Sequence, residues 1–271
     1  MTSQKLIFSK FLLSNDDGYD SLGIVALQQK LQKKSDVILC APLMEQSAKG
    51  HSFTLLHPLR LKQIAEGIYA VNGTPADCVY LAVNSMASLC DIVISGINQG
   101  ANLGTDIYYS GTVAAAREGA IQGRKAIAFS VLENCSLSSE QRLQVYENAA
   151  QVAVYLIEVL LQLPWKSGLY WNVNFPATQM LNLQSPEKLE MKILPLGVRK
   201  YHNSVIEKTD PRGHSYFWIG GPPKDTAATD NDCYWCEQGF TVLTPLQLVN
   251  ESASLENLQQ AFLDARVGGK F

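Results

Sequence analysis

What this chain lacks already excludes several classes of function. There is no basic surplus: 22 Lys and Arg stand against 25 Asp and Glu, for a formal net charge of -3. That balance gives no support to a nucleic-acid polymer as partner, although a single nucleotide stays open. No apolar stretch near the start, Met1-Thr2-Ser3-Gln4-Lys5, is long enough for a signal peptide. The longest greasy run, Val152 to Leu163, is broken by Glu158 and Gln162 and falls short of the roughly 20 apolar residues a spanning helix needs. Internal repeats, low-complexity tracts and an obvious linker are also missing. The six cysteines (Cys40, Cys78, Cys90, Cys135, Cys233 and Cys236) are scattered and mostly sit inside apolar runs. They read as reduced thiols used as small core residues, so a cytoplasmic protein with no membrane association is expected.

What is present is a 271-residue chain, 46% hydrophobic, long enough to bury a sizeable core. Apolar runs at Phe11–Leu13, Val37–Ala41, Ile92–Ile94, Ala126–Val131 and Tyr170–Phe175 read as strands. Helical stretches lie between them at about Ile24–Lys33, Val113–Gln122 and Arg142–Gln162. Near-continuous apolar strands separated by helices predict an α/β fold with a mostly parallel sheet covered on both faces. In such sheets ligands bind beyond the carboxyl ends of the strands. The last third, broken by Pro186, Pro195, Pro211, Pro222, Pro223 and Pro245 and rich in aromatics, predicts short strands or an arm that packs on a partner subunit.

The loop after the first run reads Asn15-Asp16-Asp17-Gly18. Two adjacent carboxylates at a strand end repel each other unless a cation sits between them, and hard oxygens suit Mg²⁺ or Mn²⁺. After the second run comes a long polar loop, Ala41 to Ser52, in which Ser47 offers a hydroxyl oxygen. After the third comes Ser95-Gly96-Ile97-Asn98-Gln99-Gly100-Ala101-Asn102-Leu103-Gly104, where Asn98 offers a neutral carbonyl oxygen. That segment has neither the closing Gly-Lys-Ser/Thr of a Walker loop nor the spacing of the dinucleotide fingerprint. It leads into Tyr109-Ser110-Gly111-Thr112-Val113, where Ser110 can cap a helix whose amino-terminal N–H groups suit an anion. A metal site beside a phosphate cradle is an arrangement for phosphoryl chemistry.

Taken together these segments resemble the SurE family of metal-dependent survival-protein nucleotidases. The likeness rests on Leu13 to Gly18, on Ala41-Pro42 through Glu45-Gln46-Ser47 to Gly50-His51-Ser52, and on Asn72-Gly73-Thr74-Pro75-Ala76-Asp77-Cys78. It rests most heavily on Ser95 through Asn98 and Gly104 to Tyr109-Ser110-Gly111-Thr112 and the alanines that follow. Weaker echoes continue in Asn172 to Pro176, Asp210 to Gly213 and Thr244-Pro245-Leu246, so the resemblance spans nearly the whole chain. It implies a 5′-nucleotidase acting on nucleoside monophosphates, with some members also taking 3′-nucleotides or short polyphosphate. It implies one Mg²⁺ or Mn²⁺ per subunit held by Asp16, Asp17, Ser47 and Asn98; beside such an ion, Asn98 and the amides near Ser110, Gly111 and Thr112 are expected to hold the phosphate. Asp16, Asp17 and Asn98 then carry the catalysis. The implied architecture is a single SurE-like domain over 1–271. A Rossmann-like three-layer α/β/α core fills about 1–180, and an arm over about 181–271 is exchanged between subunits of a homodimer or homotetramer. Two departures stand out, a longer lead into the first strand and the Cys-x-x-Cys at Cys233 and Cys236.

The remaining chemistry-bearing residues weigh less. His51 lies in the Ser47 loop and is a minor candidate for the pocket; His214 reads as a surface or interface residue, and His57 and His202 have no partners in sequence that would give them a role. Cys233 and Cys236 have half the spacing of a zinc site but no second pair, and read as structural. An aspartyl-phosphate phosphatase also places an Asp after its first strand, but as Asp-x-Asp rather than adjacent Asp16-Asp17. A receiver-like binding domain has an acidic pair there too, but is far shorter.

Overall fold

The computed structural model describes residues 10–248, except 87–89, 134–135, 202–203, 222 and 226–227, with backbone alone at 204 and 223–225. Cys135, His202 and Pro222 therefore lie outside the described residues, as do 1–9 and 249–271. The apolar runs become β1 (Lys10–Ser14), β2 (Asp36–Pro42), β5 (Ile92–Gln99), β6 (Lys125–Leu132) and β7 (Leu169–Pro176). Between them stand α1 (Leu22–Leu31), α3 (Gly111–Ile121) and α4 (Ser139–Leu160). The sequence reading did not anticipate three further elements before β5: a hairpin of β3 (Leu61–Ala65) and β4 (Ile68–Val71), and helix α2 (Pro75–Ser85). After β7 come α5 (Ala177–Leu181), β8 (Met191–Ile193), β9 (Arg199–Tyr201), β10 (Ser204–Thr209), β11 (Ser215–Gly220), β12 (Pro223–Asp225), α6 (Asp232–Glu237) and β13 (Thr241–Gln247).

Among the described residues the main sheet has nine strands in the order β3-β4-β2-β1-β5-β6-β7-β13-β8. From β4 to β7 every neighbouring pair is parallel; β3 and β13 run antiparallel to β4 and β7. This is the mostly parallel α/β sheet expected. Consecutive residues feed opposite layers: Leu13, Ile94 and Ile127 pack with α1 and α4, whereas Leu12, Val93 and Ala126 pack with α2 and α3. Burial on both faces explains why these strands read as unbroken apolar runs.

Strand β1 is flanked by β2 on one side and β5 on the other, so the chain winds away from it in both directions. The loops leaving β1 and β5 therefore diverge, and a crevice opens between them. Register fixes its depth, since Ser14 lies opposite Ser95. Helix α1 comes unusually close to β5 here: a Cβ on Gly23 would lie 1.9 Å from the Ile97 carbonyl oxygen. Only a glycine allows that approach.

The last third divides between the sheet and two small two-stranded sheets, β10 with β11 and β9 with β12. The buried carboxylate of Asp232 ties it down, accepting from the backbone N–H of Gly197 (2.6 Å), Gly104 (2.8 Å) and Cys233 (2.9 Å). Asp232→Ala leaves those three donors without a partner, at about 1–3 kcal/mol for each that water cannot reach. Urea denaturation is expected to show a loss of at least about 3 kcal/mol; an unchanged midpoint would refute the role. Among the described residues, no helix is long and apolar enough to cross a membrane.

Candidate active site

The turn after β1 is shaped by Asn15. Its buried amide donates to the Gly18 carbonyl (2.8 Å) and to Ser21 Oγ (2.8 Å), and its Oδ1 accepts from the Gly18 N–H (3.2 Å). With Asn15 spent on the turn, Asp16 and Asp17 carry the free carboxylates. Asp16 is only 4% exposed, and its carboxylate accepts a short hydrogen bond from the Thr112 hydroxyl. A Cβ on Gly111 would stand 2.7 Å from Asp16 Cβ, so the small residue at the start of α3 makes room for this side chain. Asp17 accepts from the Gln99 N–H at 3.1 Å, which links the β1 loop to the β5 loop.

The electrostatics are unfavourable for both carboxylates as they stand. Burial pushes the Asp16 carboxyl above its usual range, opposed by the Thr112 hydroxyl and by the amides of Thr112 and Gly111. Burial, and then the neighbouring Asp16 charge, push Asp17 up to about 7 against the help of the Gln99 amide, with Glu45 and Glu133 adding charge of the same sign. A hard cation would offset both the burial and the like-charge repulsion. Among the described residues no group of three or more His, Cys, Asp or Glu is placed to hold a metal, so neutral oxygens would have to complete any set built on the pair.

Two neutral oxygens are at hand. Asn98, at the end of β5, donates through Nδ2 to the Gly100 carbonyl (2.7 Å), which leaves its Oδ1 as an open acceptor. Ser47 is exposed, and its hydroxyl donates to Glu45 Oε1 (2.8 Å), leaving the oxygen lone pairs open. The Ser47 loop is pinned on both sides. The Gln46 N–H donates to the Asp16 carbonyl (2.7 Å) and the Gly50 N–H to the Tyr109 carbonyl (2.9 Å). His51 Nε2 lies 2.9 Å from the buried Glu118 of α3, so this histidine braces the loop on α3.

Asp16, Ser47, Asn98 and Ser110 line one cavity of about 880 Å³, with Asp106, Tyr109, Tyr201, Val205 and Ile219 farther round it. That volume falls in the range of small-molecule sites. Among the described residues no Lys, Arg or His lines it. Ser110 caps α3 by accepting from the Val113 N–H at 3.0 Å. Gly111 and Thr112, expected at the phosphate, are buried and adjoin Asp16. Of the other histidines described, His57 and His214 are exposed. Cys233 and Cys236 are buried in the cluster around Leu103 and Val242.

Sequence reasoning missed the frame behind the β5 loop. The Asn102 carbonyl accepts from Asn172 Nδ2 (2.8 Å) and Asn174 Nδ2 (3.0 Å). Its N–H donates to Asn174 Oδ1 (2.8 Å) and its side chain to Ser130 Oγ (2.8 Å). The available signal was a pair of asparagines two apart inside an apolar strand, which puts both on one face.

Comparison with known proteins fits this geometry. The pattern of the family described as Survival protein SurE matches residues 11–203. The 5'-nucleotidase SurE of Vibrio campbellii is 42% identical over 242 residues, 88% of each chain. The 5'-nucleotidase SurE of Sorangium cellulosum is 41% identical over 249 residues, 88% of this chain and 89% of the other. The crystal structure of the SurE protein from Aquifex aeolicus aligns with a TM-score of 0.75 and 35% identity, over 94% of this chain and 99% of that one. On sequence and architecture alike, this chain belongs to the SurE family.

Proposed function

We propose that the chain is a metal-dependent 5′-nucleotidase that hydrolyses nucleoside 5′-monophosphates to nucleoside and phosphate. The relatives named 5'-nucleotidase SurE support this reading. The observation that carries it is the cavity lining. A buried carboxylate, two neutral oxygens and a helix start meet there with no cationic side chain among the described residues. A phosphate dianion cannot settle beside Asp16 and Asp17 without added positive charge. Asp16, Asp17, Ser47 and Asn98 fit one Mg²⁺ or Mn²⁺ per subunit, an ion that prefers oxygen ligands. When bound, such an ion supplies charge neutralisation of the phosphoryl group and activation of water.

The chain's own groups do the rest. Asp16 and Asp17 orient the attacking water, and the Thr112 hydroxyl keeps Asp16 in one rotamer. Asn98 and Ser110 hold the phosphoryl oxygens, and the positive end of the α3 dipole, which begins at Gly111 and Thr112, favours the growing negative charge. Nothing in this arrangement is specific to a 5′-ester, and hydrolysis of 3′-nucleotides and short polyphosphate belongs to the same proposal. Release of phosphate from AMP, abolished by EDTA and restored by Mg²⁺ or Mn²⁺, is the expected result. Hydrolysis unaffected by chelation, or none with any phosphomonoester, would overturn the reading.

The same proposal covers assembly and location. In the β10–β11 ribbon, Ile206 pairs with Trp218 and Lys208 with Tyr216, which gives one face three exposed apolar side chains. Such a patch suits a second copy of the chain, as in a homodimer or homotetramer with exchanged arms. The buried thiols of Cys40, Cys78 and Cys90 favour a cytoplasmic compartment.

A further inference from the structure

We propose that Glu133 is a positioning residue for Asp17, acting through the side chain of Gln99 and so setting how tightly the site holds its cation. The inference rests on the metal-dependent reading of the same site and adds to it a residue that stands outside the cavity lining. Strands β1, β5 and β6 are neighbours in the sheet, and a chain of contacts crosses their carboxyl ends. The Gln99 N–H donates to Asp17 Oδ2 (3.1 Å), and Gln99 Nε2 donates to Glu133 Oε2 (3.3 Å). Glu133 is in turn anchored on α4. The Tyr146 hydroxyl donates to its Oε1 (2.7 Å), and a guanidinium nitrogen of Arg142 lies 3.2 Å from its Oε2. Both carboxylate oxygens therefore have partners.

The anchor is firm. The Glu133 side chain is only 10% exposed, and Tyr146 is buried in the core. Burial, and then Glu133 itself, push the Tyr146 hydroxyl up, so it stays protonated and stays a donor. The charge of Asp17 adds to the same rise, which places the two ends of the chain within electrostatic reach of each other.

The link matters because the ladder holds Gln99 only at its fringe. β5 slips its register against β6 between Ser95 and Asn98, and Gln99 opposite Val131 is the last pair. Gly100 follows at φ +106, in the left-handed region where glycine turns most freely. The peptide that carries the Gln99 N–H thus lies between an irregularity and a pivot. Gln99 is exposed, so packing does little to fix it. Glu133 supplies a fixed point for its side chain. Glu133 also adds like charge beside Asp17, but Arg142 offsets that charge, which leaves the hold as the larger effect.

The test titrates Mn²⁺ into the metal-free protein by calorimetry, with no nucleotide present. The parent is compared with Gln99→Ala, Glu133→Ala, Glu133→Gln and the variant carrying both alanines. Gln99→Ala breaks the link at an exposed position and leaves the Tyr146 and Arg142 contacts alone, so it should fold. Removing a group that orients a metal-binding side chain costs about 10–100-fold in affinity. The expected Kd is about tenfold higher in Gln99→Ala and in Glu133→Ala. The double variant should be within about threefold of Gln99→Ala, since both changes break one link. Glu133→Gln keeps an oxygen for Gln99 and offers Tyr146 an amide donor, so it should stay within about threefold of the parent. Unchanged affinity in Gln99→Ala overturns the proposal. So does a further tenfold loss in the double variant. A tenfold loss in Glu133→Gln also overturns it, by making the charge the cause. Should Glu133→Ala fail to fold, Gln99→Ala and Glu133→Gln decide the matter between them. A parent that binds no Mn²⁺ removes the metal-dependent reading and the link together. A parent that binds Mn²⁺ but releases no phosphate from AMP removes the phosphatase reading alone.

Discussion

Asp17→Asn is expected to lower kcat/KM for AMP by about 10³-fold while leaving the metal-free protein at least as stable as before. The first half follows from losing one of two charged oxygens for the cation. Polarisation by a bound ion is worth several kcal/mol, and about 4 kcal/mol is three decades in rate. The second half follows from Asp17 being pushed up to about 7 by burial and by Asp16. A folded-state value raised above the unfolded one means that the native state binds the extra proton. The metal-free protein therefore has its full stability below the ordinary carboxylate value of 3.8 and loses part of it as pH rises through about 7. Asparagine has no charge to bury, so at pH 8 with chelator the variant should melt no lower than the parent. Near-normal metal-dependent turnover would remove Asp17 from the site, and a large fall in melting temperature would make its role structural.

Gly23→Ala is expected to do the reverse and damage the fold first. Inside an exposed helix the change normally gains about 0.5–1 kcal/mol, because glycine is the looser residue in the unfolded chain. Here the new methyl would lie 1.9 Å from the Ile97 carbonyl oxygen and 2.8 Å from its carbon. Both atoms are backbone in a central strand, so neither can rotate away as a side chain would. Overpacking of this kind costs about 3 kcal/mol or more, and at about 2–4 °C per kcal/mol the melting temperature should fall by about 10 °C. Whatever shift of β5 relieves the clash also moves Asn98, the next residue, so activity should fall in the fraction that remains folded. A stabilised variant would show that α1 can slide away from β5 at little cost.

The two variants probe parts of the chain that differ in how openly the sequence declares them. The parallel core was legible because strands buried on both faces have no polar side to interrupt them, as in Phe11–Leu13 and Ile92–Ile94. β3 was not, since every residue from Leu61 to Ala65 is exposed and the segment carries no apolar contrast to read. α2 had a start signal in plain sight, with Thr74 and Asp77 forming a capping box around Pro75. That block carries the family likeness as well, which draws attention from the helix it begins. β13 hides behind Pro245, a poor strand residue, tolerated because pairing with β8 ends at Leu243 and leaves the rest of that side open. At the site, Asp16, Ser47, Asn98 and Ser110 were named from loop positions, and the structure brings all four to one cavity. The Thr112 contact and the bracing of Asn102 were not legible, since the donors to Asn102 lie 70 and 72 residues further along the chain.

The return of the chain to the sheet has a mechanical consequence. β8 enters just before the ribbon and β13 follows it, and the two are zipped side by side from Met191–Thr241 to Ile193–Leu243. The ribbon is therefore a closed bight, not a free tail. Its exposed tip, where Asp210 Oδ1 accepts from the N–H groups of Arg212 and His214, is an inviting place for a protease. A cut there would leave each half moored to the same sheet by its own strand, so the nicked molecule would keep its shape until it was unfolded.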